Sequence, residues 1–305
     1  MEPQKSVVMN KDIFVSIITP IYNDWERMAH CISALSTQNY PVHLYEIILV
    51  NNNPGHPPPN EFSMPSNCRI IAEPKPGSYA ARNAGIRAAT GEIIGFTDSD
   101  CIPHRNWIRN AVDFLTLHKK YSRVAGRIEL LYQSETLTPG ELYEKVYAFN
   151  QHRYVERDGT GVTANMFSYR FVFDSVGLFN GDLLSGGDYE WGVRARDANF
   201  SIGYGHEVVV SHPARSSVRE LVKKAKRVGG GHALFKYQLS SKAMALFYLL
   251  NHLRPPLRSF RMVFKRGRDL SATQKLTVLS IHYYLSVVTA WERFRVHLGK
   301  MPNRV

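Results

Sequence analysis

The chain has 305 residues, 44% of them hydrophobic, and a formal net charge of +12, enough to bury a proper core in one large domain or one domain plus an appendage. Cys31, Cys68 and Cys101 lie far apart with no Cys-x-x-Cys, which excludes a zinc framework or a clear disulfide set and makes a reducing cytoplasm the simplest compartment. Met1 to Asp12 lacks an apolar signal core, and no run reaches the roughly 18 uninterrupted apolar residues expected of a membrane-spanning helix.

The charge is unevenly placed. Residues 1–212 carry 19 Lys/Arg against 23 Asp/Glu, whereas residues 213–305 carry 19 against 3. The basicity belongs to the tail.

Taken in order, Ile13 to Thr19 predicts a strand ending at Pro20, after which Asn23 and Asp24 can cap a helix through Trp25, Met28, Ile32 and Leu35. Tyr45 to Val50 predicts a second strand, followed by a proline-rich loop to Pro59, and Arg69 to Ala72 a third. Ser78 to Ala89 predicts an alanine-rich helix, and Ile93 to Thr97 a short buried strand. This alternation argues for an α/β fold with a doubly wound, mainly parallel sheet.

The strand at Ile93 to Thr97 runs directly into Asp98-Ser99-Asp100. Open α/β sheets bind ligands at the carboxyl ends of their strands, and paired carboxylates there suit Mg2+ or Mn2+ shared with phosphate oxygens and water. The implied substrate is a diphosphate, a solvated turn being the competing reading of an isolated Asp-x-Asp. No Gly-x-Gly-x-x-Gly follows the first strand and no Walker lysine is present, so a dinucleotide or P-loop site has no support.

Further along, Val124 to Leu131 predicts a strand, and Pro139 to Asn150 a helix with Leu142, Val146 and Phe149 on one side. Gln151 to Asn165 is polar and glycine-containing, and Phe171 to Phe179 reads as a unit whose aromatics pack in the core. Gly186-Gly187-Asp188-Tyr189-Glu190-Trp191 places Asp188 at the start of a helix, where a carboxylate can cap the helix, act in catalysis, or do both.

Four stretches carry a resemblance: Ile18-Thr19-Pro20-Ile21-Tyr22-Asn23, Val50-Asn51-Asn52-Asn53, Ala81-Arg82-Asn83-Ala84-Gly85-Ile86 and Gly91 to Asp100. In order and spacing the chain resembles the bacterial inverting glycosyltransferases of the GT-A fold (glycosyltransferase family 2) that build surface and extracellular polysaccharides. The similarity continues through Ser185 to Arg194 and Val210-Ser211-His212-Pro213, so it covers roughly residues 13–230.

The resemblance implies a nucleotide-diphosphate sugar donor, a UDP-sugar first among them, and a hydroxyl of a glycan or lipid-linked acceptor. By the same resemblance Pro20, Tyr22 and Asn23 lie against the nucleoside, and Arg82 and Asp98 belong to the donor site. Asn52 stands where the family usually has a base-reading aspartate, which leaves the base open, since an amide donates as well as accepts. Asp98, Asp100 and His212 are the implied metal residues, and Asp188 the base that takes the acceptor proton, with Glu190 its nearest competitor. Two other readings are a nucleotidyltransferase on a related sheet, which normally needs a glycine- and lysine-rich first loop that is missing, and a non-catalytic nucleic-acid-binding protein using the basic tail. The two carboxylate motifs speak against the latter, so no nucleic-acid partner is expected.

The division expected is a GT-A catalytic domain at residues 1–230 and a basic helical C-terminal extension at 231–305. Val218, Leu221, Val222, Ala225 and Val228 follow helical spacing with cations between them. Ala243 to Leu250 and Leu276 to Trp291 are apolar blocks too short or too polar to span a bilayer, separated by Arg254, two prolines and further cations. The pattern predicts a peripheral enzyme at the anionic inner face of the plasma membrane; helices that cover the sheet or pair two copies are the alternative.

Overall fold

The structure, a computed structural model, describes residues 12–235 and 242–301. Its elements in chain order are β1 (Val15–Ile21), α1 (Trp25–Ser36), β2 (Tyr45–Asn51), β3 (Cys68–Ala72), α2 (Ser78–Ala88), β4 (Ile93–Thr97), β5 (Ile102–Pro103), α3 (Trp107–Leu117) and β6 (Arg123–Leu131). They continue with α4 (Pro139–Tyr147), a helical turn α5 (Gln151–Arg153), β7 (Asn165–Tyr169), α6 (Arg170–Val176), α7 (Gly187–Asp197), β8 (Ile202–Pro213), α8 (Val218–Phe235), α9 (Lys242–His252), α10 (Leu257–Arg266) and α11 (Ala272–His297).

The strands form one sheet in the order β3-β2-β1-β4-β7-β6-β8-β5. β1 pairs in parallel with β2 and β4, and β2 with β3, while β7 runs antiparallel to both β4 and β6. β6 and β8 pair in parallel with a register shift at Gly126/Arg127. A mainly parallel sheet with helices on both faces needs strands that are apolar throughout, and β2 is buried along its whole length. Successive residues point to opposite faces: Ile47 and Leu49 join the core under α1 and α3, and Ile48 and Val50 the core under α2, α6 and α7. Gly85 lets α2 settle on β1, because a Cβ there would lie 2.4 Å from Cγ2 of Ile18.

Four local expectations are corrected. β1 continues through Pro20 to Ile21: its pairing with β4 ends at Ile18, so Pro20 sits where β1 pairs with β2 alone and a missing N–H is tolerated. Asp24 occupies the cap position of α1 but makes no capping bond, because its carboxylate accepts from Arg27 Nε at 3.0 Å; Asn23 beside it turns the chain with φ +58°. α4 stops at Tyr147, and Phe149, at φ +41°, leaves the helix instead of extending its apolar side. Phe173 and Phe179 are core residues, but Phe171 is 50% exposed.

The C-terminal helices dock on the rest. Val278 of α11 joins Leu142 and Val146 of α4 and Val263 of α10 in one cluster, and Ile281 and Leu285 pack on Leu221 of α8. Pro255 and Pro256 separate α9 from α10, and a Ser271–Gln274 capping box starts α11. No helix among the described residues is long and apolar enough to cross a membrane.

Candidate active site

The carboxyl ends of β1, β2, β4 and β8 open into a cavity of about 640 Å3, with Pro20, Tyr22, Asn52, Arg82, Asp98, Asp188 and His212 among its lining residues. Tyr22 is 59% exposed, a large aromatic held at the rim. Asn23 does not line the cavity; its Oδ1 accepts from Asn53 Nδ2 at 2.8 Å.

Asn52 is buried and used internally. Its Nδ2 donates to the carbonyls of Glu73 (2.8 Å) and Lys75 (2.7 Å), and its Oδ1 accepts from Gly77 N (2.8 Å). The amide therefore ties β2 to the loop that enters α2. A carboxylate could accept from Gly77 but could not satisfy two carbonyls.

After β4, Asp98 and Asp100 turn to different partners. Asp98 Oδ1 accepts from Nη2 of Arg82, whose side chain is 4% exposed and lies 5.4 Å from the Tyr79 ring centroid. Arg82 Nε is buried with no hydrogen-bond partner, so the guanidinium keeps donor capacity beyond Asp98. Asp100 Oδ2 stands 3.5 Å from His212 Nε2 and 3.7 Å from Arg27 Nη1.

His212, at the end of β8, is nearly sealed and packs 4.6 Å from Phe149, centroid to centroid. Its Nδ1 lies 2.7 Å from the Pro213 carbonyl, which can only accept, so Nδ1 is the donor there and Nε2 is the ring nitrogen that faces Asp100. Ligand atoms of Asp100, Cys101 and His212 lie within 4.8 Å of one another. Burial, then the nearby Asp98 and Asp100 charges, push the Cys101 thiol up, so it stays a neutral S–H directed at the Ala164 carbonyl. The Asp100 carboxylate and His212 imidazole suit Mn2+ or Mg2+, while Asp98, expected beside them, is paired with Arg82 and lies outside this group.

Asp188 sits in the first turn of α7. Gly186, at φ +80°, makes the turn into the helix, and Gly187 must lack a Cβ, which would lie 2.8 to 2.9 Å from the Tyr79 ring. Asp188 Oδ1 accepts from Tyr79 Oη (3.0 Å) and from Tyr189 N (2.9 Å). Burial raises the Asp188 carboxyl above its ordinary value, with Arg82 and these two hydrogen bonds opposing and Asp98 adding to it. Glu190 differs: Arg194 grips both its oxygens at 2.6 and 3.1 Å while donating to the carbonyls of Val176 and Leu178.

The wall also contains residues that the sequence reading did not single out. Tyr79 donates a hydrogen bond to Asp188, Tyr154 belongs to a π-helical turn (Tyr154–Asp158) on the cavity wall, and Arg215, Lys224 and Arg227 line it from the β8 exit and α8. Each but Tyr79 had an indirect signal: Tyr154 falls in the polar 151–165 segment, Arg215 lies three residues after His212, and Lys224 and Arg227 are among the cations set between the apolar positions of 218–228.

Known proteins resemble this chain in sequence and in fold. The profile of Glycosyl transferase family 2 matches residues 16–177. The chain is 33% identical to glycosyltransferase AglE of Haloferax volcanii over 288 residues, 91% of each chain. The chain belongs to glycosyl transferase family 2. Another relative of this glycosyltransferase is the dolichyl N-acetyl-alpha-D-glucosaminyl phosphate 3-beta-D-2,3-diacetamido-2,3-dideoxy-beta-D-glucuronosyltransferase of Methanococcus voltae, 21% identical over 72% of this chain and 73% of that one. Both relatives are archaeal, which widens the bacterial frame of the original resemblance.

Among solved structures, the mannosyltransferase PcManGT of Pyrobaculum calidifontis, in complex with GDP-Man and Mn2+, aligns with a TM-score of 0.52 at 18% identity, covering 94% of this chain and 75% of that one. S. aureus TarS 1-349 aligns with a TM-score of 0.50 at 13% identity, covering 94% and 92%. These likenesses bear out the GT-A fold of this family 2 glycosyltransferase, an α/β sheet with a helical C-terminal region.

Proposed function

We propose that the chain performs an inverting, divalent-cation-assisted transfer of a sugar from a nucleoside-diphosphate donor to a hydroxyl of a glycan or lipid-linked acceptor, in surface or extracellular polysaccharide assembly. The observation that carries this reading is the single cavity shared by the Asp98–Arg82 pair, His212 and a half-buried Asp188.

Pro20 and Tyr22, at the open rim, are the surfaces offered to the nucleoside. Arg82, paired with Asp98 and lining the cavity, is the cation offered to the diphosphate oxygens. A Mn2+ or Mg2+ ion held by Asp100 and His212 would supply neutralisation of the charge on the leaving diphosphate. Asp188, oriented by Tyr79, takes the acceptor hydroxyl proton as that oxygen bonds to the anomeric carbon and the bond from that carbon to the diphosphate breaks. Its raised carboxyl makes it a stronger base than an exposed aspartate, whereas Glu190 is already engaged by Arg194. Asn52 shapes the base pocket through the 73–77 loop, and the donor base is left to the loop's geometry.

The C-terminal helices carry exposed apolar side chains, Phe247, Leu250, Leu257 and Phe264, among the exposed cations Arg254, Arg261 and Lys265. This mixture supports peripheral association with the anionic cytoplasmic leaflet, each basic residue adding about 1 kcal/mol near the surface.

A thermal-shift screen of the full chain with UDP-, GDP- and dTDP-sugars, with and without Mn2+, tests the central reading. A Mn2+-dependent rise in Tm with one sugar nucleotide, accompanied by sugar transfer or slow release of the nucleoside diphosphate, is expected. No shift with any donor would overturn it.

A further inference from the structure

A second cavity, of about 530 Å3, lies between the end of α4, α8 and α11. It shares Phe149, Tyr154, Val162, Lys224 and Val228 with the donor-side cavity, so the two adjoin along one wall. Away from that wall the second cavity is lined by aromatic and aliphatic side chains together with the polar Ser259, Ser286 and Thr289 and with Arg293. Tyr147 and His282 stack face to face with centroids 4.1 Å apart, and Leu221 and Leu285 line it from α8 and α11.

The shared wall is electropositive. The Glu144 carboxylate, 1% exposed, accepts from both Arg215 Nη1 (3.0 Å) and Lys224 Nζ (3.1 Å), so two cations rest on one anion. Among the described residues lining the second cavity Glu144 is the only acidic one, against Lys224 and Arg293, and Arg227 adds a further cation on the donor side. Lys224 Nζ also lies 5.3 Å from the centroid of the Phe149 ring. Burial, with Arg215 nearby, lowers the Lys224 ammonium to about 8 despite Glu144. An incoming anion would offset that cost.

A cation where the catalytic cavity meets a second cavity with stacked aromatic and leucine side chains matches a ligand that joins an anionic group to an apolar chain. Resting on the glycosyl-transfer reading, we infer that the second cavity receives the apolar chain of a phosphate-linked lipid acceptor, with Lys224 binding the phosphate and the acceptor hydroxyl lying in the donor-side cavity. The donor diphosphate has its own groups at the strand ends, the Arg82–Asp98 pair and the Asp100/His212 pair. An aromatic and aliphatic wall offers little to a nucleotide and much to a hydrocarbon chain. The exposed apolar residues of α9 and α10, helices that contribute His252 and Ser259 to the second cavity, suit a lipid surface, where such an acceptor resides.

Calorimetry on the full chain tests the assignment with three probes: inorganic phosphate, dodecyl phosphate below its micelle concentration, and Mn2+ with UDP. Dodecyl phosphate is expected to bind at least about tenfold more tightly than inorganic phosphate, and to do so equally with Mn2+–UDP present. Ser286→Trp, which fills the cavity from α11 without removing a charge, should weaken dodecyl phosphate by about tenfold or more and leave Mn2+–UDP affinity within about twofold, and Lys224→Met should weaken dodecyl phosphate at least as much. Equal affinity for the two phosphates would make this a plain anion site and overturn the lipid assignment. So would competition by Mn2+–UDP, which would give the cations to the donor. Loss of dodecyl phosphate binding with intact donor binding sinks this inference alone, whereas failure to bind any sugar nucleotide removes the transfer reading and this one with it.

Discussion

His212 Nε2 stands 3.5 Å from Asp100 Oδ2, joining the end of β8 to the loop after β4 across a sheet in which those strands are not neighbours. Asp100→Ala removes half of this pair and is expected to abolish the Mn2+-dependent part of nucleoside-diphosphate affinity. Titration calorimetry with and without EDTA checks it. A variant whose UDP or GDP affinity still responds fully to Mn2+ would relocate the metal.

Asp188→Asn keeps the size of the side chain and removes its basicity. Transfer should fall by a factor of roughly 10² to 10⁴ while donor binding persists. Glu190→Gln should affect transfer far less, since its loss falls first on the Arg194 clamp.

The pH profile of the wild-type enzyme has a sign set by the same carboxyl. The base must be ionised to act, and burial raises the Asp188 carboxyl above its ordinary 3.8, so kcat/KM should fall on acidification at a higher pH than an exposed aspartate would give. Asp188→Asn should lose that acid limb, and its retention would assign the limb to another group.

Asn52→Asp restores the residue usual in the family, yet here it should harm the protein. The carboxylate would face the carbonyls of Glu73 and Lys75 without a proton to offer, at a cost of about 1–3 kcal/mol for the unsatisfied groups. Denaturant unfolding measures this. An unchanged midpoint, or tighter donor binding, would show that the 73–77 loop does not depend on the amide.

Glu144→Ala strands Arg215 and Lys224 and should cost on the order of 3 kcal/mol, the scale for breaking a buried ion pair. Burial opposes ionisation of Glu144, but Lys224, Arg215 and the Arg215 N–H outweigh it and hold the carboxyl below its ordinary 4.5. A lowered carboxyl contributes stability above its unfolded value and loses it as pH falls through the folded one. The wild-type advantage over Glu144→Ala should therefore shrink below about pH 4.5; a gap constant into stronger acid would contradict the ion-pair account.

Sedimentation with anionic vesicles at low salt tests the C-terminal helices. The full chain should pellet, and Arg261→Glu with Lys265→Glu should leave it in the supernatant. Wild-type protein that never pellets would make these helices packing elements only.

The sequence by itself determined the order and type of the elements as far as β4, because uninterrupted apolar runs such as Ile47 to Val50 can only be strands buried on both faces. It also determined the family, because four motifs recur in register and short segments keep their local geometry. The tertiary structure decided what those residues touch. Phe149 belongs by spacing to the apolar side of α4, but a left-handed backbone at that residue carries its ring onto His212. Asn52 reads as a base-facing position until its amide is seen holding a loop more than twenty residues away. Glu144 and Lys224, 80 residues apart, form no pattern along the chain. Their pairing depends on how α4 and α8 pack, and packing is set by side-chain volumes and burial across the whole molecule, which no local periodicity encodes.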